Sequence, residues 1–82
     1  MEFKLLIVDD ERETTAFLAE FLLSQGYKLL LAGSGDEAVA IMEREPVDLV
    51  ALDLHMPGLA GEEVIRHIKA KYPKTKVVVV TG

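Results

Sequence analysis

The sequence contains no cysteine and no tryptophan, and only 6% of its 82 residues are aromatic. Without cysteine, neither disulfide bonds nor thiolate-bound zinc can stabilise the fold. The chain also lacks an apolar run long enough to cross a bilayer, and Leu5–Val8 is too short for the apolar part of a secretion signal. We therefore expect a soluble, cytoplasmic protein.

Positive charge is scarce as well. Nine basic residues stand against fourteen acidic ones, which gives a net charge of −5. Nucleic-acid-binding domains need a positive face that contacts phosphates, so we do not expect this domain to bind nucleic acid. Half of the residues are hydrophobic, which favours a single compact domain over residues 1–82 rather than a disordered chain.

Short apolar runs alternate along the chain with longer amphipathic segments. The predicted strands are Leu5–Val8, Lys28–Ala32, Leu49–Leu52 and Val77–Val80. The predicted helices are Asp10–Gln25, a second one that follows Ser34 and ends before Pro46, and Gly61–Lys71. Aliphatic strands separated by helices favour an α/β fold in the order βαβαβαβ, with a parallel sheet covered by helices on both faces.

The first predicted helix carries two expectations of its own. Asp10 followed by Glu13 fits a capping box, in which Asp10 is the N-cap. The helical spacing of Leu18, Phe21 and Leu22 predicts that these three side chains lie on one face of the helix.

Polar residues follow three of the four predicted strands. Asp9 and Asp10 come after the first strand, Asp53 after the third and Thr81 after the fourth. Because parallel strands end at one edge of a sheet, these side chains can converge there. Clustered carboxylates repel one another, and either a raised pKa or a bound cation must offset that repulsion. Oxygen ligands suit Mg²⁺, with Mn²⁺ or Ca²⁺ as alternatives, and phosphoryl transfer to an aspartate needs such a site.

Each of these residues also has a simpler explanation. Asp9 and Asp10 can act as helix caps, a role worth about 0.5–2 kcal/mol. Asp53 can be an ordinary turn residue, and Thr81 can end a strand because of its β propensity. The combination at three strand ends favours the functional interpretation over these separate ones.

Three stretches, taken together, carry a resemblance to a known family. They are Leu5–Glu11, Asp48–Gly58 with Gly61 close behind, and Val77–Gly82. In this order and spacing, the sequence resembles the receiver domain of two-component response regulators over essentially its whole length. The resemblance implies a flavodoxin-like fold with strand order 2-1-3-4-5.

The resemblance also implies a metal-assisted phosphoacceptor site. Asp53 would accept a phosphoryl group from a sensor histidine kinase or a small phosphodonor. Mg²⁺ would be ligated by Asp10, by Asp53 and by the backbone carbonyl of His55, while Asp9 would contribute through a water molecule.

Three further residues have implied roles around the phosphoryl group. The backbone amides of Leu54 and Gly82 would bind phosphoryl oxygens. Thr81 would donate a hydrogen bond to the group and act as the switch that partner proteins detect. The family is regulatory, so we expect a protein that is not an enzyme beyond its own phosphorylation and dephosphorylation.

The sequence departs from the family pattern at its C-terminal end. A complete receiver continues with a fourth helix, a fifth strand that ends in a lysine, and a fifth helix, so we expect an incomplete, truncated receiver. Lys74 and Lys76 precede the fourth strand, at the opposite edge of the sheet, and cannot replace that lysine without a different fold. An exposed fourth strand would favour a homo-oligomer through strand pairing.

Two alternative functions stay open at this point. The chain could be a receiver fragment that folds and self-associates as a structural or interaction module without phosphosignalling. It could also be an aspartate-nucleophile phosphatase of the haloacid dehalogenase type, but that family needs a second aspartate two residues after the nucleophile. His55 occupies this position, which argues against the phosphatase.

Overall fold

The computed structural model describes residues 3–53 and 61–80, and within them it leaves out the side chains of residues 12–15 and 80. Strands and helices alternate in these ranges: β1 (Lys4–Val8), α1 (Arg12–Ser24), β2 (Lys28–Ala32), α2 (Gly35–Arg44), β3 (Leu49–Asp53), α3 (Gly61–Lys71) and β4 (Lys76–Val80). All strand pairs are parallel, and the sheet order is β2-β1-β3-β4. The predicted α/β architecture is confirmed, and the order agrees with the flavodoxin-like arrangement.

The hydrophobic core lies on one face of the sheet. Alternate strand residues point to opposite faces, and one set packs against α2 and α3. The fully buried side chains of this core are Leu6, Val8, Val50 and Leu52 from the strands and Val64 and Ile68 from α3. Ala38, Ile41 and Met42 of α2 are also buried in this core. This packing fixes the positions of β1 and β3 at the centre of the sheet.

The opposite face, on the α1 side, is less well covered. Leu5 and Ile7 of β1 lie on this face, and together with residues of β3 and α1 they line an open apolar groove of about 300 Å³. Leu18 and Leu22 of α1 both line this groove, although Leu18 is 39% exposed, whereas Phe21 is 57% exposed and does not line it. Among the α1 side chains that the structure describes, Ala19 is buried and Leu22 is half-buried. The helix is therefore turned so that Phe21 lies on its outer side.

The start of α1 also differs from the prediction. The N-cap is Glu11 rather than Asp10, and its side chain makes no capping hydrogen bond. The backbone amide of Glu11 instead donates to Oδ1 of Asp9 over 2.9 Å. Asp9 thus satisfies an amide at the turn into the helix, and the capping box of Asp10 and Glu13 is a wrong prediction.

The start of α2 shows what a capped helix looks like in the same molecule. Ser34 Oγ accepts a hydrogen bond from the backbone amide of Glu37 over 3.1 Å. The Glu37 carboxylate in turn accepts from the backbone amide of Gly33 over 3.2 Å. Side chains on both sides of the turn therefore satisfy backbone amides that the helix itself leaves unpaired.

A small ionic cluster lies at the amino edge of the sheet, where the strands begin. Oε1 of Glu45 lies 3.1 Å from Nζ of Lys4 and 3.2 Å from Nζ of Lys28. The hydrogen bonds from Lys4 and then Lys28 hold the pKa of Glu45 below its ordinary value of 4.5. The Asp48 carboxylate accepts from the backbone amide of Lys4 over 2.7 Å. These contacts join β1, β2, the end of α2 and the turn into β3.

Candidate metal centre

The carboxyl edge of the sheet holds a cluster of three carboxylates. β1 and β3 are neighbours, with Val8 in register with Leu52, so the residues that follow them leave the sheet side by side. One oxygen each from Asp9, Asp10 and Asp53 lies within 4.8 Å of the others. The structure therefore brings together three of the predicted site residues, which are 44 positions apart in sequence at the widest (53 − 9).

The backbone around Asp9 explains why its carboxylate stays in place. Its amide donates to the carbonyl of Ala32 over 3.0 Å, which extends the pairing of β1 with β2 by one residue. Its Oδ1 accepts from the Glu11 amide. Asp9 is thus held from both ends, and this fixed geometry is what a preorganised ligand requires.

The cluster is open to solvent, and its donor atoms are all oxygen. Asp9 and Asp53 are half-buried, whereas Asp10 is exposed. Carboxylate oxygens suit Mg²⁺, Mn²⁺ or Ca²⁺, and Mg²⁺ usually takes only one or two protein carboxylates and completes its shell with water and phosphate oxygens. The donor set and its accessibility therefore fit a hydrated divalent cation that also contacts a second ligand.

The remaining predicted site residues lie outside the residues that the structure describes. They are the backbone groups of Leu54, His55 and Gly82 and the hydroxyl of Thr81. The roles that the resemblance implies for them stay predictions.

Charge is segregated along the direction of the strands. Most acidic residues lie at the carboxyl edge. The carboxylate cluster is there, and so are the first turns of two helices, which carry Asp36 and Glu37 in α2 and Glu62 and Glu63 in α3. Lysines begin three strands at the other edge, at positions 4, 28 and 76, and α3 ends there with Lys69 and Lys71. The carboxyl edge therefore attracts cations and repels anions.

Sequence reasoning missed this segregation, although its signal is visible in the chain. Most acids follow the strands and most lysines precede them, with Glu45 and Asp48 as exceptions at the amino edge, and in a parallel sheet that alternation sorts most of the two charges to opposite edges. A net charge of −5 alone conceals the separation.

Comparison with known proteins gives a consistent result. The family described as the response regulator receiver domain matches residues 5–82. Sporulation initiation phosphotransferase F of Bacillus subtilis is 35% identical over 82 residues, which cover 100% of this chain and 66% of that protein. Several other curated relatives are longer, and the chain spans one third or less of their length.

Solved structures show the same similarity. Response regulator protein TrrA of Thermotoga maritima, in complex with Mg²⁺-BeF, is 37% identical, with a TM-score of 0.90 over 99% of this chain and 70% of that one. TrrA in complex with histidine kinase ThkA gives a TM-score of 0.90 at 36% identity, over 100% of this chain and 70% of that chain. No helix among the described residues is both long enough and apolar enough to cross a membrane.

Proposed function

The chain belongs to the response regulator receiver domain family, and on that premise we propose that Asp53 accepts a phosphoryl group with the help of Mg²⁺ bound beside it. The observation that carries the proposal is the convergence of Asp9, Asp10 and Asp53 oxygens within 4.8 Å at the carboxyl edge. The Mg²⁺-BeF complex of the similar protein TrrA supports the choice of cation.

The proposed reaction moves one phosphoryl group to Asp53. A carboxylate oxygen of Asp53 forms a bond to phosphorus while the phosphorus bond to the donor breaks; a histidine donor leaves as imidazole, protonated from solvent, and acetyl phosphate leaves as acetate. Both reactants are anionic, and the cation, when bound, offsets the charge that develops on the transferred group. Asp9 and Asp10 hold that cation, and the fixed turn at Asp9 keeps its position relative to Asp53.

The proposed donor is a sensor histidine kinase or a small phosphodonor. The complex of TrrA with histidine kinase ThkA supports the former. The protein then acts as a regulator whose aspartate is the substrate, and we propose a cytoplasmic location. Within this proposal, Leu54 and Gly82 amides and the Thr81 hydroxyl bind phosphoryl oxygens, and the His55 carbonyl is a cation ligand.

The test is phosphorylation of the purified chain by acetyl phosphate, with intact-mass spectrometry as the measurement. We expect a mass increase of one phosphoryl group in the presence of Mg²⁺, none with a chelator, and none in Asp53→Asn. The matched control is Asp36→Asn, an exposed aspartate in the first turn of α2, which should be phosphorylated like the parent chain. Phosphorylation that persists in Asp53→Asn would contradict the proposal.

A further inference from the structure

An open apolar pocket of about 380 Å³ lies at the amino edge of the sheet, at the opposite end of the strands from Asp53. The end of α2, the turn into β3 and the turn from α3 into β4 form its walls. The apolar residues of the lining are Met42, Pro46, Val47, Tyr72 and Pro73. Because β3 is an inner strand and α2 packs against α3, the pocket does not depend on a free strand edge.

Hydrogen bonds between the two turns hold this amino-edge pocket in shape. The Thr75 hydroxyl donates to the carbonyl of Val47 over 2.7 Å and so joins one turn to the other. The Thr75 amide donates to the carbonyl of Tyr72 over 3.0 Å within its own turn. Each turn also contains a proline, Pro46 in one and Pro73 in the other, which fixes φ at that position. A ligand therefore meets a pocket that is already formed, which lowers the cost of ordering on binding.

The polar side chains of the lining show which ligand fits. Asp48, Lys74 and Thr75 complete the lining, and two of them already have partners. The Thr75 hydroxyl is used in the bond between the turns, and the Asp48 carboxylate accepts from the Lys4 amide over 2.7 Å. Lys74 is exposed and forms no ion pair with any residue that the structure describes. The pocket thus has an apolar interior and a cationic rim, and it fits a large apolar group with a carboxylate beside it.

Positive charge is in surplus around the pocket. The acids of this edge already have partners: Glu43 lies 3.7 Å from Lys71, Glu45 bridges Lys4 and Lys28, and Asp48 accepts from the Lys4 amide. Four exposed basic residues of the same edge form no ion pair within the described part of the chain, and these are Arg44, Lys69, Lys74 and Lys76. The amino edge therefore attracts acidic groups although the net charge of the protein is −5.

The openness of the pocket favours a protein segment over a small molecule. Small-molecule sites usually bury about 70–90% of the ligand surface, which an open pocket at the protein surface does not do. A protein segment can instead insert one side chain and lay its neighbouring acids against the lysines of the rim. Aromatic side chains are the commonest anchors of this kind, because they bury a large apolar area at a small cost in entropy.

We propose that the amino-edge pocket is a docking site for an acidic segment of a partner protein, which inserts one aromatic side chain beside Tyr72 and pairs a carboxylate with Lys74. The proposal does not rest on the proposed function of Asp53. The five residues of β3 separate the pocket from Asp53 by about 13 Å along the strand. A partner docked at this edge leaves the carboxyl edge accessible, so it binds the protein whether or not Asp53 carries a phosphoryl group.

The first test is the binding of a short peptide of glutamates and aspartates with one central phenylalanine, measured by calorimetry. We expect saturable binding that weakens as salt is added. The matched control peptide has alanine at the centre and should bind at least about tenfold more weakly. N-acetylphenylalanine, which has one ring and one carboxylate, should also bind much more weakly than the phenylalanine peptide.

Three results of this titration would overturn the proposal. No binding of the phenylalanine peptide would remove the docking site. Equal binding of the two peptides would mean attraction by charge alone, without an anchor in the pocket. Equal binding of N-acetylphenylalanine and the peptide would assign the pocket to a small molecule.

The second test changes the rim of the pocket. Lys74→Glu should weaken binding of the phenylalanine peptide by at least about fivefold, since attraction becomes repulsion beside the anchor. The control is Lys69→Glu, which makes the same change of charge at an exposed lysine of α3 that does not line the pocket, and it should weaken binding clearly less. Neither lysine has an ion pair with a described residue, so both variants should keep the parent's circular dichroism. Equal weakening by the two variants would replace the pocket by a diffuse attraction to the basic edge.

The third test locates the peptide by two-dimensional amide NMR. The phenylalanine peptide should shift the amide signals of Val47, Tyr72 and Thr75, which line the pocket. It should leave the signals of Leu5 and Ile7 unchanged, because they line the other groove of the molecule, on the α1 side. The reverse pattern would place the peptide in that groove and overturn the proposed site.

The last test separates docking from phosphorylation. Asp53→Asn should bind the peptide as tightly as the parent chain does, and Lys74→Glu should be phosphorylated by acetyl phosphate at the parent's rate. Loss of peptide binding in Asp53→Asn would overturn the independence of the two edges. If no chain is phosphorylated, the function proposed for Asp53 fails, and the calorimetric comparison of Lys74→Glu with Lys69→Glu still decides the docking site.

Discussion

At the scale of single residues, Asp9 and Asp10 are neighbours with different tasks. Asp9 is held by the Glu11 amide and by its own pairing with Ala32. Asp10 is exposed and is not the helix N-cap. Its carboxylate therefore adds charge to the cluster without satisfying the backbone of α1, which separates the metal-binding role proposed for it from a structural one.

This separation gives a prediction for Asp10→Ala. Without metal, the substitution should not lower the thermal midpoint, because it removes repulsion and no cap is lost. With Mg²⁺, the parent chain should gain stability and the variant should gain much less, since it has lost a ligand. The control is Ser34→Ala, which removes a true cap and should cost about 1 kcal/mol with or without metal. A loss of similar size for Asp10→Ala in a chelator would show that Asp10 does cap α1.

Glu45 gives a prediction that depends on pH. Lys4 and Lys28 hold its pKa below 4.5 in the folded protein, so the ionised carboxylate stabilises the fold above pH 4.5. That contribution is lost as the pH falls from 4.5 through the lowered value. Glu45→Gln should therefore reduce the thermal midpoint at pH 7, and this reduction should become smaller as the pH is lowered below 4.5.

The comparison for this prediction is Glu43→Gln. Glu43 has an ion pair with Lys71 at 3.7 Å, with more than half of both side chains exposed, and exposed pairs contribute little. An equal effect of the two substitutions on the thermal midpoint at pH 7 would show that Glu45, although it bridges two strands, stabilises the fold no more than an exposed ion pair does.

At the scale of elements, the two faces of the sheet differ in how firmly their helices are packed. Ile68 of α3 is fully buried in the core, whereas Leu18 of α1 is 39% exposed beside an open groove. Ile68→Ala should cost about 2–5 kcal/mol in the free energy of unfolding. Leu18→Ala should cost clearly less, because the side chain leaves no closed cavity. Urea denaturation of both variants measures the difference, and equal losses would mean that α1 is as tightly packed as α3.

The sequence predicted most of the elements because their signals are local. The strands agree with the observed ones to within one residue, and α3 has the predicted bounds. The start of α1 was missed because Asp9 competes with Asp10 for the first amides of the helix, which no helix pattern reveals. The spacing of Leu18, Phe21 and Leu22 left the rotation of α1 about its axis open, and in the structure Leu18 and Leu22 line the groove whereas Phe21 is 57% exposed.

At the scale of the whole molecule, predicting the candidate site required the order of the strands in the sheet, which local sequence patterns do not contain. Polar residues at strand ends indicated a shared edge, because parallel strands end together. The alternation of apolar runs does not predict that β1 and β3 are neighbours. That prediction came from the resemblance to the receiver family. The fold then confirmed the strand order, and with it the meeting of Asp53 with Asp9 and Asp10.

The separation of lysines from acids along the strands gives each chain a permanent electric dipole moment parallel to the sheet. A solution of the protein should therefore have a larger dielectric increment than that of a chain of the same net charge in which acids and lysines are mixed along the strands.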